Sequence, residues 1–293
     1  MDERGALSLV GDLVSAAGDD AAVVDGTVLT IDMLHEHTDF PEGTTPYTMG
    51  WRSVGASLSD VAAMGAAATG TVAVYGAPSF ETEPLTAFVE GAMDVSDLVD
   101  ASYVGGDLDG HQERTVASAA IGTTDDPVFR SGASPGDVVC VTGALGRSAA
   151  AVRHFAAGDA VRGNDLFQFE PRVRAGRILA ASATAMMDSS DGLARSLHQI
   201  AEASDVGVAI DGEAVPVAPA LSALASGDVR HEAMTYGEDF ELVCTLPEAS
   251  VEDARDRLAV SLTDVGTVTE AAGDVRLDGD PLPDEGWTHG GAD

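Results

Sequence analysis

Residues 18–32 read GDDAAVVDGTVLTID. Two runs carrying β-branched residues, Ala21–Val24 and Thr27–Ile31, flank an Asp-Gly pair at Asp25–Gly26. Asp-Gly between such runs is a strong hairpin signal, because a two-residue hairpin turn needs positive φ at its centre. The first sheet therefore begins with antiparallel strands. Working outward, residues 6–16 read as a short amphipathic helix. On the other side, PYTMGWRSVGASLSDVAAMGA (46–66) reads as a helix with Trp51, Val54, Leu58 and Val61 on one face. A strand over Gly70–Tyr75, a helix over Glu83–Leu98, and strands over Tyr103–Gly106 and Thr115–Gly122 follow.

The stretch DDPVFRSGASPGD (125–137) is the best linker, being rich in Pro, Gly, Ser and Asp. Beyond it, strands are expected over Val138–Thr142, Ala185–Met187, Val206–Ile210, Glu241–Thr245, Thr267–Thr269 and Asp274–Leu277. Helices are expected over Gly146–Ala157, Arg172–Ala183, from the DSSDG segment through Ala203, and over Val251–Leu258. Hairpins mixed with helices in both halves give an α+β fold, not a doubly wound parallel sheet. The predicted organisation is an N-terminal domain over 1–125, a linker over 126–137 and a C-terminal domain over 138–293. No short-period repeat is visible.

The charge balance narrows the function. There are 49 Asp and Glu against 15 basic residues, a formal net charge of -34, and every basic residue is Arg. So acidic a surface repels nucleic acid and anionic membrane, so neither is expected as a partner. Such self-repulsion needs screening, which fits a salty cytoplasm. The absence of Lys excludes a Walker A loop, a protein-kinase strand lysine and Schiff-base chemistry. Cys140 and Cys244 sit inside apolar runs, with no metal spacing or disulfide framework, and read as buried small hydrophobes. MDERGALSLV lacks a signal-peptide pattern, and no stretch of about 18 apolar residues occurs, so a cytoplasmic protein is expected.

Acidic residues beside glycine or small polar residues, often at the ends of apolar strands, carry the chemistry. They are Gly18-Asp19-Asp20, Thr30-Ile31-Asp32, Ser57-Leu58-Ser59-Asp60, Gly105-Gly106-Asp107 and Asp188-Ser189-Ser190-Asp191-Gly192. An Asp at a strand end can offer oxygens to a shared cation, and adjacent Gly lets a phosphate reach backbone N–H groups. Mg²⁺ takes such oxygens and bridges to substrate phosphates. Taken singly, each has a plain structural reading. Asp20 is a turn residue, Asp60 a solvated helix face, Asp191 an N-cap region, Arg130 a surface ion pair and Trp287 a C-terminal anchor.

As a set they match a family. GDDAAVV, IDMLHEHTDF, SVGASLSDVAAMGA, YVGGDLDG, RSGASPGDVVCVTGALGRSAAA, MMDSSDGLARSLHQIA and YGEDFELVCTLP occur in that order. From about Gly18 to Trp287 the chain resembles the thiamine-monophosphate kinases, in the superfamily of aminoimidazole-ribonucleotide synthetase and selenophosphate synthetase. The resemblance implies a two-domain fold whose N-terminal sheet pairs across a homodimer, with ATP bound between domains and several Mg²⁺ ions around the triphosphate. It implies metal ligands at Asp20, Asp32, Asp60, Asp107, Asp188 and Asp191, with Thr30 and the backbone carbonyl of Ile31 assisting. Gly106, Asp107, Arg130 and Ser190 fall at nucleotide-contacting positions, and Asp32, Asp107, Asp191 and Arg130 at catalytic ones. Glu238 and Trp287 fall where the thiamine moiety is held. Asp39 stands where relatives often carry a substrate-holding His. Two other readings stay open at this point: a sister ATP-dependent synthetase, and a non-catalytic Mg²⁺-nucleotide-binding protein.

Overall fold

The computed structural model describes residues 3–14, 17–224 and 227–287. In its first half the elements run α1 (Glu3–Leu13), β1 (Ala22–Val24), β2 (Thr27–His35), α2 (Glu36–Asp39), α3 (Pro46–Ala63), β3 (Ala67–Ala77), α4 (Thr82–Leu98), β4 (Ser102–Gly110) and β5 (Thr115–Thr123). The hairpin forms in the expected register, with Val24 opposite Thr27 and positive φ at both Asp25 and Gly26. The sheet order is β1-β2-β5-β3-β4, antiparallel except for the parallel β3–β4 pair. Strand β2 alternates, with Val28, Thr30 and Leu34 inward and Leu29, Ile31 and Met33 outward. Val72, Val74 and Ile121 are likewise exposed, leaving an uncovered apolar stripe across the sheet.

The inner face is covered by α3 and α4. Thr45 caps α3 by accepting from Thr48 N, and Pro46 fills the first turn, where a missing N–H costs nothing. The two helices meet at glycines. A Cβ on Gly50 would lie 2.0 Å from the Phe88 carbonyl oxygen, and one on Gly91 2.0 Å from that of Tyr47. Helix α3 is buried along nearly its whole length, because it also contacts α7 and β7 of the second half.

The second half runs β6 (Val138–Thr142), α5 (Arg147–Ala156), α6 (Ala160–Phe167), α7 (Val173–Leu179), β7 (Ala185–Asp188), α8 (Leu193–Ser204), β8 (Gly207–Ile210), a 3₁₀ turn (Gly212–Ala214), α9 (Pro219–Ala223), α10 (Val229–Thr235), β9 (Leu242–Leu246), α11 (Glu248–Arg257), β10 (Leu262–Thr269), β11 (Val275–Leu277) and β12 (Asp280–Pro281). Its sheet order is β12-β11-β8-β10-β6-β9-β7. Strands β6, β7 and β9 are buried throughout, and Cys140 lies directly opposite Cys244. Between the two sheets, residues 124–137 carry neither helix nor strand.

Several elements differ from expectation. Helices α6, α9 and α10 and the 3₁₀ turn were not anticipated, and β10 begins at Leu262 rather than Thr267. The helix expected to end at Ala183 stops at Leu179. Helix α1 is described from Glu3 to Leu13, and residues 15–16 of the expected helix lie outside the described residues. Among the described residues no helix is long and apolar enough to cross a membrane.

Candidate active site

The fold brings three sequence-distant acids together. Asp20 precedes β1, Asp60 lies in the last turn of α3 and Asp188 ends β7. One carboxylate oxygen of each lies within 4.8 Å of the other two. Hydroxyls fix the carboxylates: Thr30 donates to Asp60, and Ser59 Oγ donates to Asp188 Oδ2 at 2.6 Å. Nearby, Ser57 Oγ donates to Asp32 Oδ2 at 2.8 Å, and Ser57 itself touches Ser118 Oγ at 2.7 Å. The guanidinium of Arg130 grips Asp20, with Nη2 to Oδ1 at 2.8 Å, while its backbone N–H reaches Asp19 Oδ2 at 3.1 Å.

Crowding this many carboxylates inside a protein is unfavourable when they are ionised. Burial, then the neighbouring acids, push Asp188 up to about 7, and burial pushes Asp32 up to about 6. Asp60 is raised well above the usual carboxylate range by burial and by Asp32, Asp188 and Asp20. One oxygen, Asp188 Oδ1, is buried with no hydrogen-bond partner among the described residues. An orphaned anionic oxygen facing two further carboxylates is unfavourable without a cation. The donor set is all hard oxygen, without His or thiolate, which suits Mg²⁺. The residues present therefore fit a divalent cation.

A cavity of about 290 Å³ is lined by His37, Asp39, Phe167, Tyr236, Glu238 and Trp287 among others. It gathers all three residues expected to hold the substrate. Asp39 is buried, and its Oδ2 accepts from His35 N at 2.6 Å and Thr38 Oγ1 at 2.9 Å. Glu238 sits at φ +63° and Phe240 at φ +54°, both uncommon for side-chain-bearing residues. Such conformations persist where surrounding contacts over-determine them. Trp287 is held through its backbone N–H, 3.1 Å from the Asp191 carbonyl oxygen, and through the Arg195–Asp284 ion pair at 2.6 Å beside it.

Other expected residues lie elsewhere. Gly106 and Asp107 sit on β4, beside a second cavity of about 250 Å³ lined by Tyr75, Phe88 and Tyr103. A Cβ on Gly106 would lie 1.8 Å from the Ala73 carbonyl oxygen, so only glycine fits. Asp107 is exposed, in register with the outward-facing Val74, and does not join the three-acid cluster. The side chain of Ile31 points outward. The Asp191 carboxylate lies 3.9 Å from Arg195 Nη1, and the Ser190 carbonyl oxygen accepts from Glu238 N at 2.6 Å.

Comparison with known proteins follows this geometry. Residues 18–124 match the N-terminal domain model of AIR synthase related proteins, and residues 134–278 match the C-terminal domain model. The thiamine-monophosphate kinase of Halobacterium salinarum is 65% identical over 99% of this chain and 100% of its own length. The chain belongs to the thiamine-monophosphate kinases. The Methanospirillum hungatei member is 39% identical over 99% of both chains. The solved structure of AaThiL complexed with AMPPCP and TMP superposes with a TM-score of 0.89 at 26% identity, over 98% of this chain and 97% of that one. The acidic, lysine-free composition accords with the likeness to a Halobacterium member of the family.

This thiamine-monophosphate kinase site also uses residues to which the sequence reading gave no role of their own. Ser57, Ser59 and Ser118 position the acids, and Arg52 is buried against Glu238. The raised carboxylates have a thermodynamic consequence. Their folded pKa values exceed the unfolded value of 3.8, so the folded state holds protons that the unfolded state has lost. That stability is full below the unfolded value of 3.8, declines as pH rises above it, and is gone once pH passes the folded values of about 6 for Asp32 and about 7 for Asp188. Metal-free protein in constant high KCl should therefore melt at lower temperature at pH 8 than at pH 6. Saturating Mg²⁺ should raise the melting temperature more at pH 8. Scanning calorimetry at both pH values decides this; an equal Mg²⁺ effect at the two would count against a shared carboxylate site.

Proposed function

We propose that the chain transfers the γ-phosphoryl group of ATP to the phosphate of thiamine monophosphate, giving thiamine diphosphate and ADP. The observation that carries this is a cluster of three acids, Asp188 buried and Asp20 and Asp60 half-buried, in the same fold as a cavity lined by Glu238, Asp39 and Trp287. Full-length identity to kinases of that name supports it. A phosphate-monoester oxygen forms the new P–O bond as the bond from γ-phosphorus to the β–γ bridging oxygen breaks. That acceptor is already anionic at neutral pH, so the protein needs no general base. Catalysis is then positioning and charge neutralisation.

Asp20, Asp32, Asp60 and Asp188 would hold Mg²⁺, with Thr30, the Ile31 carbonyl, Asp107 and Asp191 as ligands for further ions. When bound, the ions would neutralise the phosphates that a chain of net charge -34 otherwise repels. Arg130 adds a fixed cation beside Asp20 for the nucleotide phosphates. Gly106, beside the aromatic-lined cavity of β4, suits close approach of a nucleotide, and Ser190, in the loop between β7 and α8, is the other expected nucleotide contact. Glu238 and Trp287 suit the thiamine cation, by charge and by stacking. The proposed units are residues 1–125 and 138–293, joined by 126–137.

The reading includes a homodimer, in which a second copy covers the outward stripe of Leu29, Ile31, Met33, Val72, Val74 and Ile121. Uncovered apolar stripes of this kind mark interfaces. It also includes a cytoplasmic location, where the nucleotide co-substrate is kept. The test is incubation in high KCl with Mg²⁺, ATP and thiamine monophosphate, followed by chromatography. Thiamine diphosphate and ADP should form in equal amounts, and neither should form with EDTA. ADP without thiamine diphosphate would point to another acceptor.

A further inference from the structure

Arg52 lies within α3 and is completely buried. A buried guanidinium must be paired and hydrogen-bonded to be tolerated. Its partners all come from the second half of the chain. Nη1 donates to the Phe167 carbonyl oxygen at 2.8 Å. Nη2 donates to the Glu238 carbonyl oxygen at 2.8 Å and to Glu238 Oε2 at 2.6 Å, with Ser148 Oγ at 3.4 Å. The guanidinium carbon lies 3.6 Å above the Phe167 ring, and 5.4 Å from the rings of both Phe169 and Phe240. Phe169 and Phe240 stack on each other at 4.2 Å.

One cation thus holds both the backbone and the side chain of Glu238. Ser148 Oγ donates to the same Glu238 carbonyl oxygen at 2.7 Å. These contacts account for the left-handed backbone at Glu238 and Phe240. They also turn Oε2 inward. Among the described residues no hydrogen bond reaches Oε1, and Glu238 lines the cavity with Asp39, Tyr236 and Trp287.

We propose that Arg52 is a positioning residue for the cation-bearing half of the substrate: it locks Glu238 so that one carboxylate oxygen is held inside the protein and the other is presented to the cavity. This rests on the cavity being the site of thiamine monophosphate. Arg52 touches neither the three-acid cluster nor the β4 cavity, so its effect is confined to one substrate.

The test uses the full chain in high KCl with Arg52→Lys, Arg52→Gln, Glu238→Gln and the Arg52→Lys/Glu238→Gln double variant. Binding of thiamine monophosphate is measured by calorimetry without ATP, and KM for each substrate by steady-state assay. Lys keeps the charge but cannot hold three acceptors in a planar fork. Arg52→Lys should weaken binding of thiamine monophosphate, and raise its KM, about tenfold, as for losing one charge-assisted hydrogen bond. KM for ATP and kcat should stay within about twofold. The double variant should bind no more weakly than Glu238→Gln alone, because Arg52 acts through Glu238. Folded Arg52→Lys with unchanged binding overturns the proposal. So do additive losses in the double variant, or equal changes in both KM values. If neither Arg52 variant folds, Arg52 is a scaffold residue and the proposal fails. A wild-type chain that binds no thiamine monophosphate overturns the functional reading itself, and this inference with it.

Discussion

Asp60→Asn is expected to lower kcat about a thousandfold, or ~4 kcal/mol of transition-state stabilisation, while raising the melting temperature of the metal-free protein. The two effects share a cause. Asp60 is half-buried beside Asp20 and Asp188, and its ionised form is disfavoured by loss of water and by those neighbours. Asn keeps the shape and can still accept from Thr30, but it removes the charge. The metal-free fold is relieved of repulsion, and a Mg²⁺ site loses one of its carboxylates. A residue that destabilises the fold for the sake of its site is the expected signature of catalytic machinery. Assay and calorimetry on the same preparation check both halves. Activity within tenfold of wild type, or a lower metal-free melting temperature, would sink this assignment of Asp60.

Gly91→Ala should cost about 3 kcal/mol of stability, at the upper end for inserting a methyl into a packed interior. The added carbon would lie 2.0 Å from the Tyr47 carbonyl oxygen, a backbone atom that cannot rotate away. Gly50→Ala meets the Phe88 carbonyl oxygen at the same distance, so it should cost a similar amount. The melting temperature should fall by roughly 5–10 °C for either. Because both changes pry apart one helix crossing, the double variant should lose less than the sum. Activity should fall with them, since α3 carries Asp60, Ser57 and Ser59. Melting temperatures within about a degree of wild type would mean that α3 and α4 do not pack as described.

Much of the site was legible because its acids sit in short local contexts. Asp20 leads into a strand, Asp60 lies in a helical run and Asp188 ends a strand, and the fold closes them into one cluster. Asp107 was legible as a residue but not as a place: it lies on the outer face of β4, away from the three acids. Arg130 stood equally well as a phosphate ligand or an ion pair, and the second describes its contacts with Asp19 and Asp20. Arg52 was missed because it falls among small and apolar residues, where a single Arg reads as a solvated face. Its partners are over 90 residues away, and no local pattern announces them. Helices α6 and α10 were missed although Asp159 and Asp228 cap them, accepting from Arg162 N and His231 N. Each of these is only seven or eight residues long, too short for a periodicity to stand out.

Helix α3 joins Arg52, which holds Glu238, to Asp60 at the acidic end of the site, with every residue between them buried. A helix is a fixed measure. One residue inserted between those positions would move Asp60 about 1.5 Å along the axis and turn it by about 100°. The interval from Arg52 to Asp60 therefore behaves as a ruler that sets how far apart the Glu238 cavity and the acidic cluster are held. Changes in chain length can be absorbed in the turns at 78–81 and 111–114, but a change of even one residue here would put the ends out of phase.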